Sequence, residues 1–225
     1  MQSPGLFPVA AIWCGFVAAG VLLVAGCGSN ERATDVQQEA APQASRSEAK
    51  GPRDPDHPVV EIATSTGTIR VKLDAVNAPS TVRNFLYYVN QGFYDDTLFH
   101  FVAPEKMIVG GGYSVEREPK LVGTTVRNEA DNGLKNMRGT FAMARDTSAG
   151  IDTATTQFFI NLADSPTFDH RGDEVDEFGY CVFGEVVGGL DVAEQIGRSA
   201  TGDHGGDLSQ TPEPPVVVRS ISVVE

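Results

Sequence analysis

Leu98-Phe99-His100-Phe101-Val102-Ala103-Pro104-Glu105-Lys106-Met107-Ile108-Val109-Gly110-Gly111-Gly112 is the stretch on which the fold turns. Leu98 to Ala103 and Met107 to Val109 are short apolar runs of strand type, separated by Pro104. Three glycines follow, which permit close backbone approach or positive φ. His100 falls within the alternation of the first run, so it reads as a structural histidine rather than a base.

Upstream, Val59 to Thr64 and Thr68 to Leu73 are β-rich runs flanking Ser65-Thr66-Gly67, the pattern of a hairpin. Ile69, Val71 and Leu73 alternate with Arg70 and Lys72, which predicts one buried and one wet face. A helix is predicted next, with Asn77 as its N-cap, Pro79 in its first turn and Gly92 as its end. Val82, Phe85, Leu86 and Val89 recur along it at helical spacing.

Downstream, Phe141 to Arg145, Gln157 to Leu162, Gly179 to Val187 and Pro215 to Val224 are further strand candidates. Leu190 to Ile196 reads as a second short helix, with Leu190, Val192, Ala193 and Ile196 available for burial. Many short strands with few helices indicate an antiparallel barrel or sandwich. No internal repeat is present.

The N-terminal quarter differs in kind. Val9 to Val24 is nearly continuous apolar and ends Leu23-Val24-Ala25-Gly26-Cys27, a hydrophobic region closed by small residues. This ending resembles the bacterial lipobox, in which the cysteine is lipidated and becomes the new N-terminus. Residues 1–26 are therefore read as a lipoprotein signal peptide and Cys27 as the lipid attachment site. An uncleaved transmembrane helix and a plain secretory signal are the competing readings, since the run is long enough to approach a span and no Lys or Arg precedes it. All three place the folded part outside the cytoplasm. The stretch 28–57 is rich in Ala, Gln, Ser, Glu, Asp and Pro without apolar period, so 27–57 reads as lipidated cysteine and flexible tether, and 58–225 as the single domain.

The whole chain of 225 residues carries 30 acidic and 17 basic side chains, a formal charge of -13. That balance argues against nucleic acid, whose binding needs Lys and Arg on phosphates. With 41% apolar and 21% charged residues, the chain can bury a core. Beyond Cys14 and Cys27 there is only Cys181, whose apolar flanks mark a small core residue rather than a nucleophile. Asp173 to Glu177 reads as a solvated acidic loop, with a calcium site as the other reading. Asp203-His204-Gly205-Gly206-Asp207 has too few regularly spaced ligands for a metal site.

Several ordered blocks resemble the cyclophilin family of prolyl isomerases. They are Asn84-Phe85-Leu86 with Gly92-Phe93-Tyr94, Leu98-Phe99-His100 with Met107-Ile108 and Gly110-Gly111, Gly139 to Arg145, Thr156 to Asn161, and Phe178-Gly179-Tyr180 with Val182-Phe183-Gly184. The arrangement is most similar to the family's bacterial secreted branch. The resemblance implies an eight-stranded antiparallel barrel capped by two helices, a monomer without metal or cofactor, and proline-containing polypeptides as partners.

In the family, an arginine directly after the Phe-His pair donates a hydrogen bond to the prolyl nitrogen. Here that position is Phe101, so the catalytic site is degenerate at its donor. Val109 stands at a family glutamine, Lys106 at an aromatic, and Thr167 where an aromatic often stands, with Phe168 as partial substitute. The resemblance assigns Met107, Phe159 and Phe168 to the proline pocket, Tyr180 and Leu162 to its edge, and Gln157 to the substrate backbone. Ala144 and Arg145 match the segment that pairs with the peptide, and Arg145 or Lys106 is a candidate substitute donor. The function implied is an extracytoplasmic peptidyl-prolyl isomerase of exported proteins, held by a lipid anchor on a bacterial membrane, with altered or reduced catalysis. A non-catalytic proline-binding chaperone or scaffold module is the alternative.

Overall fold

A computed structural model describes residues 54–224 of the chain. The stretches expected to be signal peptide and most of the tether, with Cys27, lie outside the described residues. The first strands, β1 (Val59–Thr64) and β2 (Thr68–Leu73), pair as the hairpin pattern predicts. Val60 faces Val71 and Ile62 faces Ile69, and all four side chains are fully buried. The Thr64 hydroxyl closes the turn by donating to the Gly67 carbonyl at 2.6 Å and accepting from the Thr66 and Gly67 N–H groups.

Helix α1 (Pro79–Asn90) follows, and Gly92 ends it with φ of 64°. Phe85 enters the core among the rings of Tyr94, Phe141, Phe158 and Phe183, at centroid distances of 5.2 to 5.9 Å. Its N-terminus departs from expectation. Ala78, not Asn77, occupies the cap position. Asn77 instead donates to Asp74 through its backbone N–H and its side-chain amide. The open N–H groups of Ser80 and Thr81 donate to the Glu129 carboxylate, as does the Thr81 hydroxyl. A carboxylate nearly fifty residues further on does the work of the cap.

The remaining elements are β3 (Thr97–Ala103), β4 (Met107–Ser114), β5 (Thr140–Met143), β6 (Phe158–Asn161), β7 (Val182–Gly188), α2 (Leu190–Gly197), β8 (Thr201–Gly202), β9 (Thr211–Pro212) and β10 (Val216–Val223). Eight antiparallel strands close into a barrel in the order β1-β10-β3-β4-β6-β5-β7-β2, while β8 and β9 form a separate small ribbon. The barrel and two helices match the fold implied by the sequence.

Two strand boundaries and the place of one residue differ from expectation in ways that bear on the site. β4 runs on through the glycines to Ser114, because Gly111 adopts φ of 84° where an added Cβ would meet Phe158 and Tyr94 at 2.9 Å. β7 begins at Val182 rather than Gly179, because Tyr180 N–H leaves the sheet and donates to the Phe168 carbonyl at 2.8 Å. Leu162, expected at the pocket edge, packs into the central core against Gly197 of α2.

One irregularity positions the site. On β3, Phe99 faces Gly110 and Phe101 faces Val109, so two steps on β3 match one on β4. This bulge holds one extra residue and re-aims the strand. Phe99 and Val102 belong to the barrel core, whereas Phe101 joins a second apolar cluster outside it.

Candidate active site

The second cluster is built on the outer face of five neighbouring strands, β3, β4, β6, β5 and β7. Phe101 pairs with Val109, Val109 with Phe159, and Phe159 with Ala142. Ala142 in turn pairs with Val182 of β7. Strands lie roughly 4.8 Å apart, so Phe101 stands about 10 Å from Phe159 across a continuous apolar row. Val109, Ala142, Phe159 and Val182 form its buried floor. Phe101, Met107, Leu134, Ala144, Phe168 and Tyr180 surround that floor and remain partly exposed.

Three aromatic rings make one wall. Phe159 meets Phe168 at 5.9 Å and Tyr180 at 5.6 Å, both nearly edge-on, and Phe168 meets Tyr180 at 5.0 Å. Such geometry suits the ring quadrupoles. Phe168 ends a single 3-10 turn, Pro166–Phe168, so its ring is set by the tie to Tyr180 N–H and by Asn136. Asn136 is 1% exposed, and its amide donates to the Phe168 carbonyl at 3.0 Å and the Tyr180 carbonyl at 3.3 Å. Its own carbonyl accepts from Asn161 at 3.1 Å. Sequence reasoning missed Asn136, since a lone polar residue in a loop carries no periodic signal.

Arg145 does not point a free donor at the cluster. Its Nε donates to the Gly179 carbonyl at 2.9 Å, Nη1 to Gly150 at 2.9 Å and Nη2 to Val175 at 2.6 Å. The same guanidinium lies over the Tyr180 ring, 5.3 Å from its centroid. Burial raises the Tyr180 phenol above its usual range, with the Arg145 charge opposing. Lys106 is exposed in the turn between β3 and β4.

Gln157 stands beside this cluster, next to a polar group. It packs on Gly112 so closely that an added Cβ would sit 2.7 Å from the Gln157 amide. His100 is 2% exposed and lies 4.7 Å from the Tyr113 ring, whose hydroxyl donates to Asp207 at 2.9 Å. Burial pulls the His100 imidazole down to about 4, although the Asp207 charge and a Gln157 hydrogen bond favour protonation. It is neutral at pH 7, as a structural histidine would be. Cys181 is likewise buried, and burial pushes its thiol up to about 12.

Phe101, Met107, Ala144, Phe159, Phe168 and Tyr180 thus converge on one outer cluster, with Arg145 bracing its wall and Gln157 adjacent. The acidic stretch at 173–177 is an exposed loop apart from Val175. Among the described residues, no group of three or more His, Cys, Asp or Glu is placed to hold a metal ion.

Comparison with known proteins gives a consistent picture. The sequence profile of the family described as cyclophilin type peptidyl-prolyl cis-trans isomerase/CLD matches residues 59–223. The chain is 45% identical to peptidyl-prolyl cis-trans isomerase A of Dickeya dadantii, over 74% of this chain and 84% of that protein. It is 42% identical to peptidyl-prolyl cis-trans isomerase B of Escherichia coli, over 74% of this chain and all of that protein. A crystal structure of a cyclophilin type peptidyl-prolyl cis-trans isomerase from Cryptosporidium parvum superposes with a TM-score of 0.60 at 23% identity. That superposition covers 74% of this chain and 97% of the other, and speaks for the fold.

Proposed function

Because the chain belongs to the cyclophilin-type peptidyl-prolyl cis-trans isomerase family and is an isomerase of that class, we propose that it turns over proline bonds slowly, acting on exported proteins from a lipid anchor at Cys27. The observation that carries the proposal is the environment of Phe101. Its ring belongs to the apolar cluster around Phe159, and it has no N–H to offer a prolyl nitrogen.

Rotation about the peptidyl-prolyl bond faces a barrier of roughly 18–20 kcal/mol, set by the partial double-bond character of C–N. No covalent step is needed. Met107, Phe159 and Phe168 hold the proline ring, Tyr180 closes the edge, and Gln157 with Ala144 engages the peptide backbone. Binding the twisted form better than either planar form lowers the barrier. A donor aimed at the prolyl nitrogen would lower it further, and one such donor is worth about a hundredfold or more in rate. Arg145 is committed to three carbonyls and braces Tyr180, so it is not the substitute.

The small residues before Cys27 and the apolar run ahead of them support lipid attachment and an extracytoplasmic place. Two experiments test the proposal. Isomerisation of a proline tetrapeptide is measured for wild type and for Phe101→Arg, with a gain of roughly a hundredfold expected for the variant. Wild-type turnover equal to an ordinary cyclophilin, with no gain from the arginine, would overturn it. If neither protein accelerates the reaction while both bind proline peptides, the chain is a binding module instead. Palmitate labelling of cells is expected to mark the wild type and not Cys27→Ser.

A further inference from the structure

The replacement at position 101 does more than remove a donor. The bulge turns Phe101 out of the barrel, opposite Val109, into the cluster that contains Phe159. The floor between the two phenylalanines is Val109, so no polar side chain interrupts the row from Phe101 to Phe159. Met107 lies two residues from Val109 on the same strand and in the same cluster. The Phe101 ring is therefore an apolar ledge continuous with the proline pocket, and it remains partly exposed.

We propose that this ledge seats the side chain of the residue that precedes proline, so that the protein selects chains in which a large apolar residue stands immediately before proline. The inference rests on the proline-pocket reading. In that reading position 101 faces the prolyl nitrogen, and the group bonded to that nitrogen is the preceding residue. A large apolar side chain there removes water from both surfaces. A charged one leaves its charge against Phe101 and Val109, which offer it no hydrogen bond. Discrimination on such a ledge is expected to be about tenfold between phenylalanine and alanine, because the ledge only partly covers the side chain.

The test is a calorimetric titration of the full chain with blocked tetrapeptides. Ala-Phe-Pro-Ala is expected to bind about tenfold tighter than Ala-Ala-Pro-Ala, and Ala-Glu-Pro-Ala more weakly than either. Phe101→Leu is expected to keep the order of the three, and Phe101→Ala to flatten it. Equal binding of the phenylalanine and alanine peptides overturns the proposal. So does a preference that survives Phe101→Ala, or a larger gain from Ala-Ala-Pro-Phe. Failure of the underlying reading looks different: Ala-Phe-Ala-Ala would bind as tightly as Ala-Phe-Pro-Ala, showing a general apolar surface and no proline pocket.

Discussion

Arg145 stacks its guanidinium on Tyr180 while each of its three nitrogens donates to a different backbone carbonyl, those of Gly179, Gly150 and Val175. One side chain thereby fastens two loops to the aromatic wall of the outer cluster. Arg145→Ala strips three acceptors of their partner and is expected to cost about 2–3 kcal/mol in urea unfolding, with weaker binding of proline peptides. Arg145→Lys is not expected to restore either, because an ammonium cannot form the planar fork. A lysine variant equal to wild type in both measurements would remove the clamp from the account.

Glu129 caps α1 from a distance. Glu129→Ala leaves the Ser80 and Thr81 N–H groups and the Thr81 hydroxyl without their acceptor, with an expected loss of about 2 kcal/mol. Asn77→Ala removes contacts only to the nearby Asp74 and is expected to cost less. Chemical unfolding of the two variants ranks them.

His100 makes stability depend on pH in a definite direction. In the unfolded chain the imidazole takes a proton below about 6.5, but in the folded protein only below about 4. Between those values the unfolded state holds the extra proton, so stability is full above the upper value and declines as pH falls towards the lower. The loss attributable to this group is about 3 kcal/mol over that window. Unfolding curves at several pH values are expected to show a shallower decline for His100→Asn than for wild type.

Cys181 is buried against Thr81, with its thiol pushed up to about 12. At neutral pH the thiolate is nearly absent and the sulfur is covered, so iodoacetamide is expected to leave it unmodified in the native protein. Peptide mapping after urea treatment is expected to find it alkylated. Rapid modification without denaturant would contradict the burial.

Much of this is legible in the sequence. Alternation exposed β2, because a two-residue period needs only a buried and a wet face, and the turn residues Ser65-Thr66-Gly67 tied β1 to it as a hairpin. Ordered blocks carry their own spacing, and Met107, Phe159, Phe168 and Tyr180, which the resemblance assigns to a proline pocket, do meet in one cluster. What escaped was polar and long-range. Asn136 reaches Phe168 and Tyr180, and Glu129 reaches Ser80 and Thr81, across 32 to 49 residues of chain. No local rule marks such partners, since each is an ordinary loop residue until the barrel closes. Asn77 misled for the converse reason: a good capping residue found a nearer carboxylate in Asp74. Arg145 reads in sequence as a spare donor because its three acceptors are backbone carbonyls, which every residue has.

The closure of the barrel has a bearing on the company this protein keeps. Every one of the barrel's eight strands has a neighbour on both sides, so among the described residues the barrel wall itself has no open sheet edge. An incompletely folded chain carries rows of unpaired N–H and C=O groups, and an open edge would invite it to zip on as a further strand and stay. A catalyst built as a closed barrel offers such chains no strand partner along its wall and can let them go.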